Sequence, residues 1–209
     1  MVTHYIHRGL AKKNFQENTI KAFKYSFRRK YGIETDIHAT KDHEFICFHD
    51  FTLNRIFKKK ESVKNMRYSA IKKISTQNKK PIPLLKDLLK ISKNRYTLFI
   101  EIKPTFTKKL LQKLLKETSK FSKCVFISFK HKNIYDLLKI KSNTKVGLSF
   151  SLNNNAKTII KKSNNKKINC LILDKFFLKN KNIQNLKNKK YYYTIKTKME
   201  FKNIVKIII

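Results

Sequence analysis

Cysteine, glycine and proline number only three each in this 209-residue chain, and tryptophan is absent. Each scarcity excludes something. Cys47, Cys124 and Cys170 are odd in number, far apart and without a CxxC pair. That argues against a disulfide framework or a zinc site and for buried, reduced thiols. So few glycines leave no Gly-rich phosphate loop, the expected signature of an open doubly wound nucleotide fold. No apolar run approaches the ~20 residues of a membrane span. The start, "MVTHYIHRG", runs almost directly into a candidate strand, with no room for a signal peptide. The expectation is a cytoplasmic protein.

Acidic residues are scarce too. Thirteen Asp and Glu stand against 50 Lys and Arg, a formal charge of +37. One reading is a polyanionic partner, nucleic acid or an anionic membrane. The other is compositional drift, in which AT-rich codons enrich Lys, Asn and Ile and deplete Gly and Pro. The basic residues run through the whole length rather than one tail, which fits drift. Either way a positive field attracts anionic substrates.

What is present is a sizeable core. Hydrophobic residues make up 41%, with 16 Phe and 9 Tyr, and apolar runs recur along the chain as disordered sequences do not allow. "HYIHRG" is short and strand-like. Residues 18–30 place Ile20, Phe23 and Phe27 at helical spacing, with Asn18 or Thr19 as the cap. "GIETDIHAT" (32–40) and "EFICFHD" (44–50) alternate with period two. Residues 51–80 are basic and irregular, an insertion with one short helix near Ser69–Ser75. "PIPLLKDLLKIS" predicts a helix started by proline. Strand and helix then alternate: 96–104 with 107–122, 124–129 with 131–140, 145–150 with 155–163, 168–174 with 180–188. "YYYTIKT" (191–197) and a terminal "IVKIII" follow. Eight strand units predict a compact (β/α)₈ barrel in a single domain over 1–209, with the 51–80 insertion after the second strand lying over the mouth.

In such a barrel the chemistry gathers at the C-terminal strand ends. Strand one ends at His7-Arg8-Gly9, strand two carries Glu34 and Asp36, "FICFHD" ends at His49-Asp50, and "YTLFIEIKP" carries Glu101 and Lys103. Side chains at i and i+2 share a face, so Glu34 points with Asp36 and Glu101 with Lys103. Converging carboxylates repel unless a cation sits between them, and oxygen ligands suit Mg²⁺ or Ca²⁺. Arg8 and Lys103 can bind phosphate, and His7 and His49 can supply acid and base. Each fragment alone has a plainer meaning: a helix-capping carboxylate, an ion pair, turn chemistry at His49-Asp50. Together, at strand ends and in this order, they argue for a site.

The series "HRG…ENT…AF", "GIETDIHATKDHEFICFHDFTLNR", "IPLLKDLL" and "FIEIKP" resembles the glycerophosphodiester phosphodiesterase family, densely over 7–104 and loosely beyond. The resemblance implies a (β/α)₈ barrel that hydrolyses glycerophosphodiesters to an alcohol and sn-glycerol 3-phosphate with a divalent metal. It implies His7 and His49 as the acid/base pair, Glu34, Asp36 and Glu101 as metal ligands, and Arg8 and Lys103 on the phosphate. Glu17 would hold Arg8 or simply favour the helix N-terminus. The chain departs from the family pattern at Gln16, at His43 where glycine is usual, at Tyr193 where tryptophan is usual and at Lys196 where asparagine is usual. The pattern's last segment has no counterpart, so the expected barrel can lack its final helix and rely on a neighbour to close its seam. His38 is expected to pack or to hydrogen-bond behind the site, and His4 and His131 to pack or face solvent. Two rivals stay open: cleavage of lysophospholipid or other lipid headgroups at an anionic membrane by the same residues, and a non-enzymatic basic barrel that binds nucleic acid.

Overall fold

The computed structural model describes residues 3–11, 16–195 and 206–208. Eight parallel strands close on themselves: β1 (Thr3–His7), β2 (Gly32–Ala39), β4 (Leu98–Ile102), β5 (Cys124–Ser128), β6 (Val146–Phe150), β7 (Cys170–Asp174), β8 (Lys189–Tyr193) and β9 (Lys206–Ile208). The order β1-β9-β8-β7-β6-β5-β4-β2 is sealed by pairing of β1 with β2. The (β/α)₈ barrel expected from the alternation is therefore present. Its last seam is closed by β9, which pairs with β1 from Thr3↔Lys206 to Tyr5↔Ile208 and with β8 at Tyr192↔Ile207. Lys196 lies outside the described residues.

The short strand β3 (Phe45–Cys47) is no barrel member. It runs antiparallel to β2 and turns the chain toward His49. The turn before it holds His43 at φ 61°, the left-handed conformation that glycine adopts without penalty.

Helices cover the barrel where the sequence puts apolar residues at helical spacing. α1 (Ile20–Arg28) buries Phe23 and Phe27, and its cap is Thr19, whose hydroxyl accepts from the Ala22 N–H. Residues 51–80 hold more than the one expected helix: α2 (Asn54–Phe57), a 3₁₀ turn at Val63–Asn65 and α3 (Tyr68–Gln77). They enclose a small separate core of Leu53, Phe57, Val63 and Ile71 with Ile46 and Ile82. α4 (Leu85–Ser92) begins after the prolines rather than at them. Pro83 keeps its carbonyl for the Cys47 N–H, and the Asp87 carboxylate accepts from the Leu84 N–H at the start of the helix. α5 (Lys108–Glu117), α6 (His131–Ile140) and α7 (Ala156–Ser163) follow the pattern, while the unit after β7 has only a 3₁₀ turn and α8 (Lys181–Gln184).

Alternation along each strand divides two cores. Outward residues such as Ile33, Ile37, Ile100 and Ile102 meet the helices. Inward residues Tyr5, Phe99, Ile127, Cys170, Ile172 and Tyr191 fill the barrel floor. The Tyr5 ring stacks edge-on against Phe99 and Tyr191, with centroids 4.7 and 5.5 Å away. It fits because Gly32 has no side chain; a Cβ there would lie 2.7 Å from the ring. On this aromatic floor the next inward layer is polar.

Candidate active site

His7 stands two residues above Tyr5, Glu34 and Asp36 two and four above Gly32, and Glu101 two above Phe99. Register does the rest: His7 pairs with Glu34 and Asp36 with Glu101 across neighbouring strands. The carboxylates of Glu34, Asp36 and Glu101 each offer an oxygen, all within 4.8 Å of one another, and all three residues are buried. His7, Arg8, Glu34, His49, Glu101 and Lys103 line one pocket of about 240 Å³, whose other wall is Ile127, Phe129, Ile172 and Tyr193. A larger hollow of about 810 Å³ lies outside, between α1 and residues 78–81; it touches Glu17 and Arg55 but none of the three clustered acids.

Electrostatics in the smaller pocket are unbalanced. Burial pushes the Glu34 carboxyl well above the usual carboxylate range, and Asp36 and Glu101 push it further. Glu101 is raised by burial and by Asp36. Burial acts the same way on Asp36, but Lys103 and Arg8 outweigh it and hold the group low. Lys103 lies 2.8 Å from Glu101 Oε1 and 3.4 Å from Asp36 Oδ1. Arg8 Nε is 3.1 Å from Asp36 Oδ2, an ion pair without hydrogen-bond alignment. Lys103 and Arg8, expected on a phosphate, thus touch carboxylates as well as the pocket. Glu34 Oε1 and Asp36 Oδ1 remain buried without a hydrogen-bond partner. Two unpaired buried oxygens beside a third buried acid suit a hard divalent cation, which takes oxygen ligands.

The imidazoles differ. Burial, reinforced by Arg8, takes His7 down to about 4, so its ring is neutral near pH 7. Its Nε2 lies 3.8 Å from Glu34 Oε2. His49 has its Nδ1 2.6 Å from Asp50 Oδ1. An ionised carboxylate only accepts, so Nδ1 carries the proton and Nε2 is left for chemistry. Asp50 is held in turn by Arg55 of α2, whose Nε donates to Oδ2 at 2.6 Å. Arg55 also donates through Nη2 to Glu17 Oε1 at 2.7 Å, the same oxygen that accepts from Arg8 Nη1 at 3.1 Å. Glu17 therefore lies on Arg8.

Three residues gain a place that the sequence reading did not give them. Asn18 is no cap. At φ 52° it turns inward, donates to Asp36 Oδ2 at 3.0 Å and accepts from the Thr35 hydroxyl at 2.7 Å. The "ENT" run was its signal. Arg55 closes the run "HDFTLNR", which was its signal, but had no role assigned. Asp50, which had no separate role assigned beside His49, orients it. His38 sits behind the site, with Nε2 3.1 Å from the His49 carbonyl. His131 packs on Phe150 and contacts the Ser149 carbonyl, away from the pocket.

Fold and pocket together define a (β/α)₈ barrel protein whose mouth is fitted for a hard cation beside two imidazoles. The sequence model of the glycerophosphoryl diester phosphodiesterase family matches residues 7–202, and the chain belongs to that family. A glycerophosphodiester phosphodiesterase of Caldanaerobacter subterraneus subsp. tengcongensis is 31% identical over 159 residues, 69% of this chain. The match spans 65% of that relative, a little under two thirds of its length. Among solved structures, the Thermotoga maritima glycerophosphodiester phosphodiesterase superposes with a TM-score of 0.80 at 20% identity, covering 100% of this chain and 94% of that one. An Oleispira antarctica phosphodiesterase, in complex with the product sn-glycerol-3-phosphate, gives 0.85 at 15% identity, covering 99% and 92%.

Proposed function

We propose that the chain hydrolyses glycerophosphodiesters to an alcohol and sn-glycerol 3-phosphate. One observation carries the reading: three buried carboxylates cluster, two of them with an oxygen lacking a hydrogen-bond partner, and Glu34 and Glu101 of that cluster line a pocket of about 240 Å³ with two imidazoles and two cations. Family membership and the product bound to the Oleispira protein support the substrate class.

Glu34, Asp36 and Glu101 would hold a divalent metal, Mg²⁺ or Ca²⁺, which when bound supplies Lewis-acid polarisation of a phosphate oxygen. Arg8 and Lys103 add positive charge where the phosphate sits. His7, kept neutral by burial, takes the proton of the attacking hydroxyl, whether of water or of the substrate. His49, its Nδ1–H held by Asp50, acts as the acid in its imidazolium form, giving the second proton, on Nε2, to the departing oxygen and returning to the neutral ring. The apolar wall of Ile127, Phe129, Ile172 and Tyr193 faces the organic part of the substrate and limits water. Residues 51–80 shape the rim through Arg55. The three buried, unbridged thiols suit a reducing compartment, which supports a cytoplasmic enzyme in glycerol and lipid metabolism.

The test is hydrolysis of glycerophosphocholine and glycerophosphoethanolamine with and without chelator. Activity is expected to vanish with EDTA and return with a divalent ion. His7→Ala and His49→Ala should each lower kcat by ~10²–10⁴-fold. Turnover indifferent to chelation would overturn the metal assignment.

A further inference from the structure

Four large apolar side chains stand exposed among the described residues: Phe51 (54%), Phe129 (38%), Leu152 (62%) and Phe176 (72%). All four lie at the mouth. Phe129 follows β5 by one residue, Leu152 follows β6 by two and Phe176 follows β7 by two. These strands are consecutive neighbours in the barrel, so the three side chains form one arc of the rim. Phe51 lies across the mouth, two residues past His49 and edge-on to His38 at 5.0 Å. Phe129 also lines the pocket, its ring 5.8 Å from Tyr193. An apolar strip thus runs from the pocket wall to the open rim.

Exposed lysines flank every member of the arc. Lys130 adjoins Phe129, Lys157 follows Leu152 in the first turn of α7, and Lys179 follows Phe176. Lys58, Lys59 and Lys60 follow Phe51. Apolar tips set among basic residues are the composition of a surface that enters the headgroup region of an anionic bilayer.

We propose that the barrel mouth docks on an anionic lipid surface, with Phe129, Leu152 and Phe176 entering the headgroup–acyl boundary and the lysines meeting the headgroups. The pocket would then draw its phosphodiester from the bilayer as a monoacyl lipid, a clause that rests on the proposed activity. Two alternative occupants are disfavoured on different grounds. A second copy would set +37 against +37. Nucleic acid matches the charge, but Leu152 offers no π face for stacking.

The chain has no tryptophan, so Phe176→Trp places a single tryptophan, excited apart from the tyrosines, on the arc. With vesicles of phosphatidylcholine and phosphatidylglycerol its emission should shift to the blue and be quenched by brominated acyl chains. Pure phosphatidylcholine vesicles should give a much smaller response. The double variant Leu152→Ser/Phe176→Ser should lose about tenfold or more in vesicle partitioning, while soluble glycerophosphocholine is hydrolysed as before. Sedimentation with vesicles but no blue shift would mean attraction by the lysine field alone and would sink the proposal. So would partitioning unaltered in the double variant, or a double variant that instead loses RNA binding or self-association. Docking is read without turnover, so an inactive protein still reports on it, and failure to dock leaves the soluble-substrate assay to judge the activity.

Discussion

Glu34→Gln separates the two roles of a buried acid, because it should stabilise the metal-free protein and weaken the metal-bound one. Glu34 is 2% exposed, its Oε1 has no hydrogen-bond partner, and its carboxyl is raised by burial and by two neighbouring acids. A carboxyl raised on folding destabilises the fold progressively as pH climbs from the unfolded value to the folded one. Above both, the full penalty applies. Glutamine has the same shape and no charge. Its amide oxygen can accept the Arg8 backbone N–H that now donates to Glu34 Oε2 at 3.2 Å, and its NH₂ can face Asp36 and Glu101. Replacing a poorly compensated buried charge by a neutral isostere gains roughly 1 kcal/mol or more. The gain should grow between acid and alkaline pH.

Metal reverses the sign. A cation at a hundred times its Kd stabilises the folded state by ~2.7 kcal/mol. At roughly 2–4 °C per kcal/mol for a domain of this size, the wild-type melting temperature should rise by about 5–11 °C. Glu34→Gln removes one of the three carboxylates proposed as ligands and should remove most of that rise. The assay is thermal unfolding at pH 6 and pH 8 in EDTA, then with increasing Mg²⁺ or Ca²⁺. A variant less stable than wild type in EDTA at pH 8, or one that keeps the full metal-dependent rise, would refute the reasoning.

Asp50→Asn keeps the shape around His49 but cannot fix Nδ1 as the donor, so kcat should fall by about 10²-fold or more with KM little changed; steady-state kinetics decides. Burial raises Glu17 and Asp50, but Arg55's hydrogen bonds and charge, joined by Arg8 on Glu17 and His49 on Asp50, together outweigh it and hold both below the ordinary range. Their stabilisation is present above the unfolded values and lost as pH falls through the folded ones. Arg55→Leu should therefore cost about 0.5–1 kcal/mol at pH 7, discounted for Arg55 being half exposed, and almost nothing in strong acid; urea melts at the two pH values read the difference. His43→Gly relieves a left-handed backbone at φ 61° and should raise stability by about 1 kcal/mol, again by urea melts. Burial pushes the Cys47, Cys124 and Cys170 thiols up to about 12, so a thiol reagent at pH 8 should label none in the folded protein and all three in denaturant.

The barrel was legible because its signals are local. Apolar alternation at 32–40 and 96–104 fixes which face of β2 and β4 is inward, and Glu34, Asp36 and Glu101 then fall on that face without further information. The convergence of His7 and His49 needed the register, which sequence spacing cannot supply: His49 reaches the pocket from an antiparallel strand outside the barrel. The Pro-started helix failed because Pro83 serves a carbonyl to Cys47 instead of opening α4. Asn18 and Thr19 were equal as caps by type. The structure separates them because only Asn18 carries both a donor for Asp36 and an acceptor for Thr35.

Scarcity explains the rest. In a chain with 13 acids among 209 residues, a carboxylate set between apolar neighbours runs against the composition, so each one stands out. A basic residue runs with it. Arg55 ties Asp50 to Glu17 and so ties His49 to Arg8, yet it is one of 50 lysines and arginines, and its only mark is that it closes the run "HDFTLNR". The same holds for the lysines around the mouth. Only the apolar tips between them, exposed at one end of the barrel against the general rule of burial, distinguish that end from the rest of a uniformly positive surface. Compositional drift can therefore account for the number of charges and still leave their neighbours at the rim to be explained by function.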